Sequence, residues 1–368
     1  MWNDPDMLFV GDVARALVDL DQADGLLAFR LPYPASAQRV LNRWVLRALR
    51  EGTTPPASVP GMVEFCQERP VVDWPLNLPR GVFTERSLLL DEEHGLLTNL
   101  CYEVAFTVGV ADPWAEILGM PDHAADLCRH RRDAQAYEAF RRLLAENPVL
   151  DNDAVTSIAF DRHLGPLEGL PNEIYKEVGG RWRESGEARD CEVCGHLTVP
   201  LDVDTWVCES DGCTGAGTGR EWFADEGLLF QLTRVHRQFV SRPGRVVLDL
   251  AARLEECGVD VARWADYGSY DLTITFPGNV VWAVQVVDWS SPVLAGNVAL
   301  PIADSPQVRQ AFRVVPAHRL AGEPGYIATF EQFQPDSGVP LLSDAELLAR
   351  VRRQGGPHAR RFDRGGSA

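Results

Sequence analysis

The stretch YDLTITFPGNVVWAVQVVDWSSP, residues 270–292, sets the reading of the whole chain. Two β-rich runs, Tyr270 to Phe276 and Val280 to Trp289, flank Pro277-Gly278-Asn279. Such an interruption between alternating apolar residues signals a β-hairpin. Asp271 opens the first strand and polar residues end the second, so both meet at one edge of a sheet, an arrangement that can hold a metal. Upstream, Gly244 to Gly258 reads as a helix with Val247, Leu250, Ala251 and Leu254 on one face. Val259 to Trp264 then reads as a short strand.

Ahead of this segment lies a compact cysteine cluster. Cys191-x2-Cys194-Gly195 is followed, thirteen residues on, by Cys208-x4-Cys213. Two short-spaced pairs separated by a hairpin-length segment suit tetrahedral zinc, because each pair grips from one tight turn. The glycine after Cys194 lets the backbone fold beneath the metal. Leu197 to Leu201 and Thr205 to Val207 are the expected strands between the knuckles. Four thiolates close the coordination sphere, so the expected role is structural. His196 is adjacent and could replace a ligand, but four cysteines suffice. Cys66, Cys101, Cys128 and Cys257 sit among apolar residues and read as buried thiols.

Residues 1–180 read as mainly helical. Val13, Ala14, Leu17 and Leu20 recur at helical spacing, as do Leu41, Trp44, Val45 and Ala48, and a further helical run extends from Asp126 to Glu146. Prolines at 55–56, 70 and 75–79 mark loops. The histidines here are scattered without metal-site spacing, and the region is expected to serve interaction or support. Gly179-Gly180 and the polar run Arg183 to Asp190 read as a linker. The expected organisation is α+β and multidomain: a helical region over 1–180, a four-cysteine zinc ribbon over 186–222, and an α/β core over 225–340. A short helix and a basic disordered tail complete it over 341–368.

The chain has 368 residues, 45% of them hydrophobic and 24% charged, enough to bury a sizeable core and unlike a disordered or fibrous protein. No signal peptide is visible, and the apolar stretch from Leu96 to Met120 is interrupted by Glu103, Asp112, Pro113 and Glu116, so a cytoplasmic protein without a membrane span is expected. Fifty-three acids against 35 bases give a net charge of −18, which would repel phosphate from a uniform surface. Lys176 is the only lysine. The tail is the local exception to the acidic balance, with Arg350, Arg352, Arg353, Arg360, Arg361 and Arg364 against one acid. These six arginines are the candidate nucleic-acid contacts.

The 270–292 run resembles the core of restriction-endonuclease-like proteins of the PD-(D/E)XK superfamily, and more narrowly the endonuclease-like protein associated with prokaryotic Piwi (pPIWI-RE) modules. That family carries a Tyr-Asp pair, a hairpin, a Val-Trp-Ala strand, an acid-x-Lys followed by Asp-Trp, and Ser-Pro. Cysteine pairs and a helical N-terminal region precede them. Tyr270-Asp271, Val281-Trp282-Ala283, Asp288-Trp289 and Ser291-Pro292 match. The second acid of the family falls on Gln285 and its lysine on Val287. The similarity is specific over about 110 residues, weaker over the cysteine segment and slight over 1–180.

The resemblance implies a restriction-endonuclease-like fold and a prokaryotic defence role. Expected partners are nucleic acid, DNA before RNA, together with a Piwi-type protein and a helicase. Such nucleases use two carboxylates to hold magnesium, which polarises the phosphate and helps ionise the attacking water. The lysine steadies the developing charge, and losing one preorganised donor of this kind costs about 10²–10³ in rate. Asp271 supplies one carboxylate and Gln285 an amide oxygen; Asp288 is a candidate displaced ligand. Val287 can offer nothing to an anion. Residues 225–368 contain no lysine, leaving only arginine as a replacement, with Arg253 and Arg263 nearest in sequence. Asp249 reads as a solvated surface acid. The expected function is a nuclease-fold component with a degenerate site that binds nucleic acid, a Piwi-type partner or both. A magnesium-dependent endonuclease with a rebuilt site and a non-catalytic zinc-ribbon scaffold are the alternatives.

Overall fold

The computed structural model describes residues 2–24, 26, 31–167, 169–211, 213, 219–223, 227–303, 305–334 and 338–355. The chain divides into two compact units, Met1–Ile117 with Gly179–Ala224, and Leu118–Val178 with Asp225–Ala368. Residues 118–178, which the sequence groups with the N-terminal region, thus lie in the same unit as the C-terminal segment.

In the first unit, helices α1 (Pro5–Asp24), α2 (Ala35–Glu51), α3 (Val59–Glu68) and α4 (Asn99–Thr107) bury the stripes that their periodicity announces. Val13, Ala14 and Leu17 of α1 are fully enclosed, as are Cys66 and Cys101. Trp44 of α2 packs among Phe9, Phe65 and Trp74 at centroid distances of 5.4, 4.8 and 5.3 Å. Side-chain oxygens of Ser58 and Thr98 cap α3 and α4.

The same unit contains four short strands, β1 (Glu187–Arg189), β2 (Thr198–Pro200), β3 (Trp206–Cys208) and β4 (Glu221–Phe223). They pair antiparallel as β1 with β4 and β2 with β3. The polar run read as a linker therefore ends in a strand. Ala188 of β1 faces Trp222 of β4 in register, and both are buried. A three-residue strand among charged residues shows too little alternation to stand out in sequence.

In the second unit, the helical run Asp126–Glu146 is two helices, α5 (Pro113–Arg131) and α6 (Ala134–Glu146). The break falls at Arg132, with φ +57°, and Asp133, whose carboxylate caps the Ala136 N–H. A π-helical turn, Arg237–Ser241, leads into α7 (Arg242–Glu255).

A five-stranded mixed sheet follows. Its strands are β5 (Asp260–Arg263), β6 (Leu272–Phe276), β7 (Val280–Val286), β8 (Val308–Val315) and β9 (Leu341–Ser343), in the order β9-β8-β7-β6-β5. The pairs β5/β6 and β6/β7 are antiparallel, whereas β7/β8 and β8/β9 are parallel. Parallel neighbours need long crossovers; α8 (Pro292–Val298) lies between β7 and β8, and α9 (Ala317–Gly322) with α10 (Tyr326–Phe333) between β8 and β9. Helix α11 (Asp344–Gly355) closes the described chain.

The β6–β7 turn is the expected Pro-Gly-Asn, with Gly278 at φ +83° and Asn279 at +58°, a left-handed pair that only such residues adopt cheaply. Period-2 alternation puts Leu272, Ile274, Phe276, Trp282, Val284, Phe312 and Val314 into one core. Against them pack the apolar stripe of α7, Tyr137 and Phe140 of α6, and Leu347 and Val351 of α11.

Candidate functional site

The β6/β7 register pairs Leu272 with Val284. The ladder ends there, and the Asp271 carboxylate reaches across to the Val286 N–H, which brings it to the stretch of backbone that carries Gln285 and Val287. Asp271 is half-buried; its N–H donates to the Val284 carbonyl at 3.1 Å, and its Oδ2 accepts the Val286 N–H at 2.7 Å. Burial pushes its pKa up, while the charge of Arg141 and the Val286 hydrogen bond pull it back. Gln285 pairs on its other side with Arg313 of β8. Arg313 is fully buried and donates from Nη2 to the Leu300 carbonyl at 2.5 Å.

Val287 sits just past β7, 8% exposed, with its N–H on the Val314 carbonyl at 2.8 Å. The arginines nearest in sequence are each paired with acids. Arg253 is paired with Asp344 at 2.6 Å and Asp249 at 3.5 Å, and Arg263 with Glu255 at 2.7 Å. Asp249 is exposed as expected.

Asp288 is engaged elsewhere. Its carboxylate accepts Arg319 Nε at 2.6 Å and His318 Nε2 at 2.9 Å, with Arg242 Nε at 3.4 Å. Burial raises its pKa, but Arg319, His318 and Arg242 outweigh that and hold it far below the ordinary carboxylate range. Arg319 also donates to Ser290 Oγ at 2.9 Å, so this network fixes the chain leaving β7. Asp288, the candidate displaced ligand, is thus held by basic side chains. Among the described residues, the four cysteines form the only cluster of three or more metal-ligating side chains.

What the sequence does not suggest is the approach of α6. Arg141 lies with its guanidinium carbon 5.4 Å above the Trp264 ring and donates to the Tyr137 hydroxyl at 3.2 Å. The Trp264 N–H in turn donates to the Asp271 carbonyl at 2.7 Å. Trp264, Asp266, Tyr267 and Gly268 all have positive φ, from +45° to +88°. Strain of this kind persists where surrounding structure imposes it and clusters at functional sites. A Cβ on Gly268 would come within 2.5 Å of the Tyr137 oxygen. Gly268→Ala is therefore expected to destabilise the protein by about 1–3 kcal/mol, seen as a lowered urea midpoint at unchanged slope.

The cysteine centre is separate. Cys191, Cys194, Cys208 and Cys213 bring their sulfurs within 4.8 Å of one another, with Cys191–Cys213 and Cys194–Cys208 at 3.5 Å. Four sulfurs at zinc–sulfur distance on a tetrahedron stand about 3.8 Å apart, so the set fits such an ion. The Gly195 N–H donates to the Cys191 carbonyl at 2.7 Å, with Gly195 at φ +69°, which is the expected knuckle. His196 is fully buried 3.9 Å from Glu209 and stands outside the sulfur set. Asp211 accepts the Asn99 N–H at the start of α4 at 2.6 Å, and Arg181 pairs with Asp21 of α1 at 2.7 Å. The cluster is thereby built into the helical unit.

The tail arginines divide. Arg350 belongs to α11, with its guanidinium 5.5 Å from the Phe312 ring centroid, so it is ordered and partly committed. Arg352 and Arg353 are exposed on the same helix, which corrects the expectation that the disordered tail starts at 350. Arg360, Arg361 and Arg364 lie outside the described residues. No helix among the described residues is long and apolar enough to cross a membrane.

Two family models match the chain. The pPIWI_RE three-gene island domain Y covers residues 9–151, and the REase associating with pPIWI_RE covers residues 244–358. The chain is a pPIWI-RE restriction-endonuclease-like protein. The REase match runs from α7 to beyond α11 and contains both Asp271 and Gln285. The domain Y match reaches past Ile117 into the second unit and includes α6 with Arg141. No curated protein and no solved structure matched the chain.

Proposed function

We propose that this pPIWI-RE protein is the nuclease-fold component of a prokaryotic defence system, working in the cytoplasm with nucleic acid, a Piwi-type partner or both. Its site holds nucleic acid without cutting it efficiently. The observation that carries this reading is the buried, apolar Val287 next to the backbone N–H of Val286 on which the Asp271 carboxylate is seated. A magnesium ion would find there one carboxylate and one amide oxygen, and no lysine to steady a pentavalent phosphate. Asp288 cannot complete the set while Arg319, His318 and Arg242 occupy its carboxylate. The sulfur geometry favours zinc at the cysteine centre, in a structural role. Exposed Arg352 and Arg353, continued by Arg360, Arg361 and Arg364, add positive charge for phosphate in an otherwise acidic chain.

Cleavage tests the reading. Supercoiled plasmid, linear duplex and single strands incubated with Mg²⁺ or Mn²⁺ are expected to show background nicking, the same as for Asp271→Ala. Nicking by the native chain that vanishes in Asp271→Ala would show instead a working endonuclease with a rebuilt site. Restoring the family pattern by Gln285→Asp with Val287→Lys is expected to raise cleavage about 10²–10³-fold over the native chain.

A further inference from the structure

Residues of α1, α2 and α4 in the first unit line a cleft of about 350 Å³. Its apolar lining is Val18, Val40 and Ala105, all buried. Helical spacing brings Asp12, Arg15, Asp19 and Gln22 of α1 to it, and Ser36, Arg39 and Arg43 of α2. Most of these charges are already committed. Arg15 donates to Asp12 at 2.6 Å and to the Val108 carbonyl at 2.7 Å. Arg43 donates to the other oxygen of Asp12 and lies over the Phe9 ring. Two cations therefore neutralise Asp12. Asp19 accepts the Ser36 hydroxyl and keeps its charge. Arg39 differs from the other arginines: it is exposed, with no hydrogen bond, ion pair or ring partner among the described residues. Phe106 of α4 completes the lining, half-buried and stacked on Tyr102 at an interplanar angle of 5°. One cleft open to solvent thus holds an uncommitted guanidinium, a carboxylate with acceptor capacity to spare and an aromatic ring.

We propose that this cleft binds a nucleoside monophosphate, its phosphate on Arg39, its ribose hydroxyls on Asp19 and its base against Phe106. Each group suits its part. The guanidinium fork pairs two phosphate oxygens and stays charged. A carboxylate accepts hydrogen bonds from ribose hydroxyls, and a base stacks on an aromatic face. The volume lies at the lower end of small-molecule sites, which fits a ligand of mononucleotide size. The cleft belongs to the first unit and Asp271 to the second, so the assignment stands apart from the nuclease reading.

Isothermal titration calorimetry of the full chain with AMP, GMP, CMP and UMP in turn tests the assignment. At least one is expected to bind at one site per chain, and about tenfold more weakly to Arg39→Gln. Arg39 is exposed and unpartnered, so this substitution leaves the thermal melt unchanged. The nucleoside lacking the phosphate is expected to bind native chain and Arg39→Gln alike. Binding of none of the four by the native chain, or equal binding by Arg39→Gln, would overturn the proposal and leave the nuclease reading as it stands. A 5′-phosphorylated decamer separates the two sources of such a ligand. Binding tighter than that of the mononucleotide, with the gain lost in Arg39→Gln, would identify the end of a strand; binding no tighter would identify the free nucleotide.

Discussion

Replacing Cys191 and Cys208 together by serine is expected to remove the bound metal and unfold the segment between β1 and β4. The native chain should carry one zinc by elemental analysis and the variant none. The expected effect is large for a physical reason. Strands of three residues bury very little, and β2/β3 and β1/β4 are each isolated two-stranded pairs, marginal in water without help. A bound zinc would supply that help: structural zinc in small sites contributes about 10–16 kcal/mol of apparent binding energy, and binding energy there is folding energy. The damage should spread to α4. Its first turn is anchored on the cluster through Asp211 to the Asn99 N–H and through Asn99 Nδ2 to Ser210 Oγ at 3.5 Å. Limited proteolysis should therefore open sites within 190–213 and loosen the helical unit. A chelator should reproduce the variant's thermal melt. A metal-free native chain with an unchanged melt would remove the structural role.

The hairpin and the cysteine centre were legible in sequence because both are written in short, local patterns. A Pro-Gly-Asn turn between alternating runs leaves few registers open, and the observed one pairs Phe276 with Val280 and Leu272 with Val284. The cysteine spacing constrains four side chains within 23 residues. What stayed hidden are the long-range pairings. Nothing near Arg141 announces that α6 packs against α7 or that its guanidinium lies over the Trp264 ring. The sequence points to Arg253 and Arg263 because they are close in the chain, and each is paired with an acid, Asp344 and Glu255 respectively. The strand β1 was hidden for another reason. Its residues are polar, and only Ala188 faces Trp222, so no periodicity separates it from a linker. The resemblance to pPIWI-RE proteins fixes the positions that depart from the pattern, Gln285 and Val287. It takes the structure to show that Asp288 is held in an ion network.

That network carries the second large effect. The Asp288 side chain is fully buried and shared by Arg319, His318 and Arg242. Asp288→Ala removes the common anion and leaves the charge of Arg319, itself 8% exposed, without it. Breaking a buried pair from one side costs about 3–5 kcal/mol, because the stranded charge keeps its desolvation penalty. This is a large share of the stability of an ordinary domain. Asp288→Asn keeps the shape and an acceptor oxygen, and should lose less. The same carboxylate gives the protein an acid limit. Its pKa is lower in the folded chain than the roughly 3.9 of an unfolded aspartate. The unfolded state therefore binds the proton first as the pH falls. The contribution of Asp288 to stability is complete above the unfolded value and drains away as pH drops from about 5 toward the depressed folded value. Urea midpoints measured from neutral pH to pH 3 should fall more steeply for the native chain than for Asp288→Asn, so that the gap between them narrows with acid. A gap that stays constant over that range would mean that the carboxylate's charge contributes nothing to the fold and that the ion network serves shape alone.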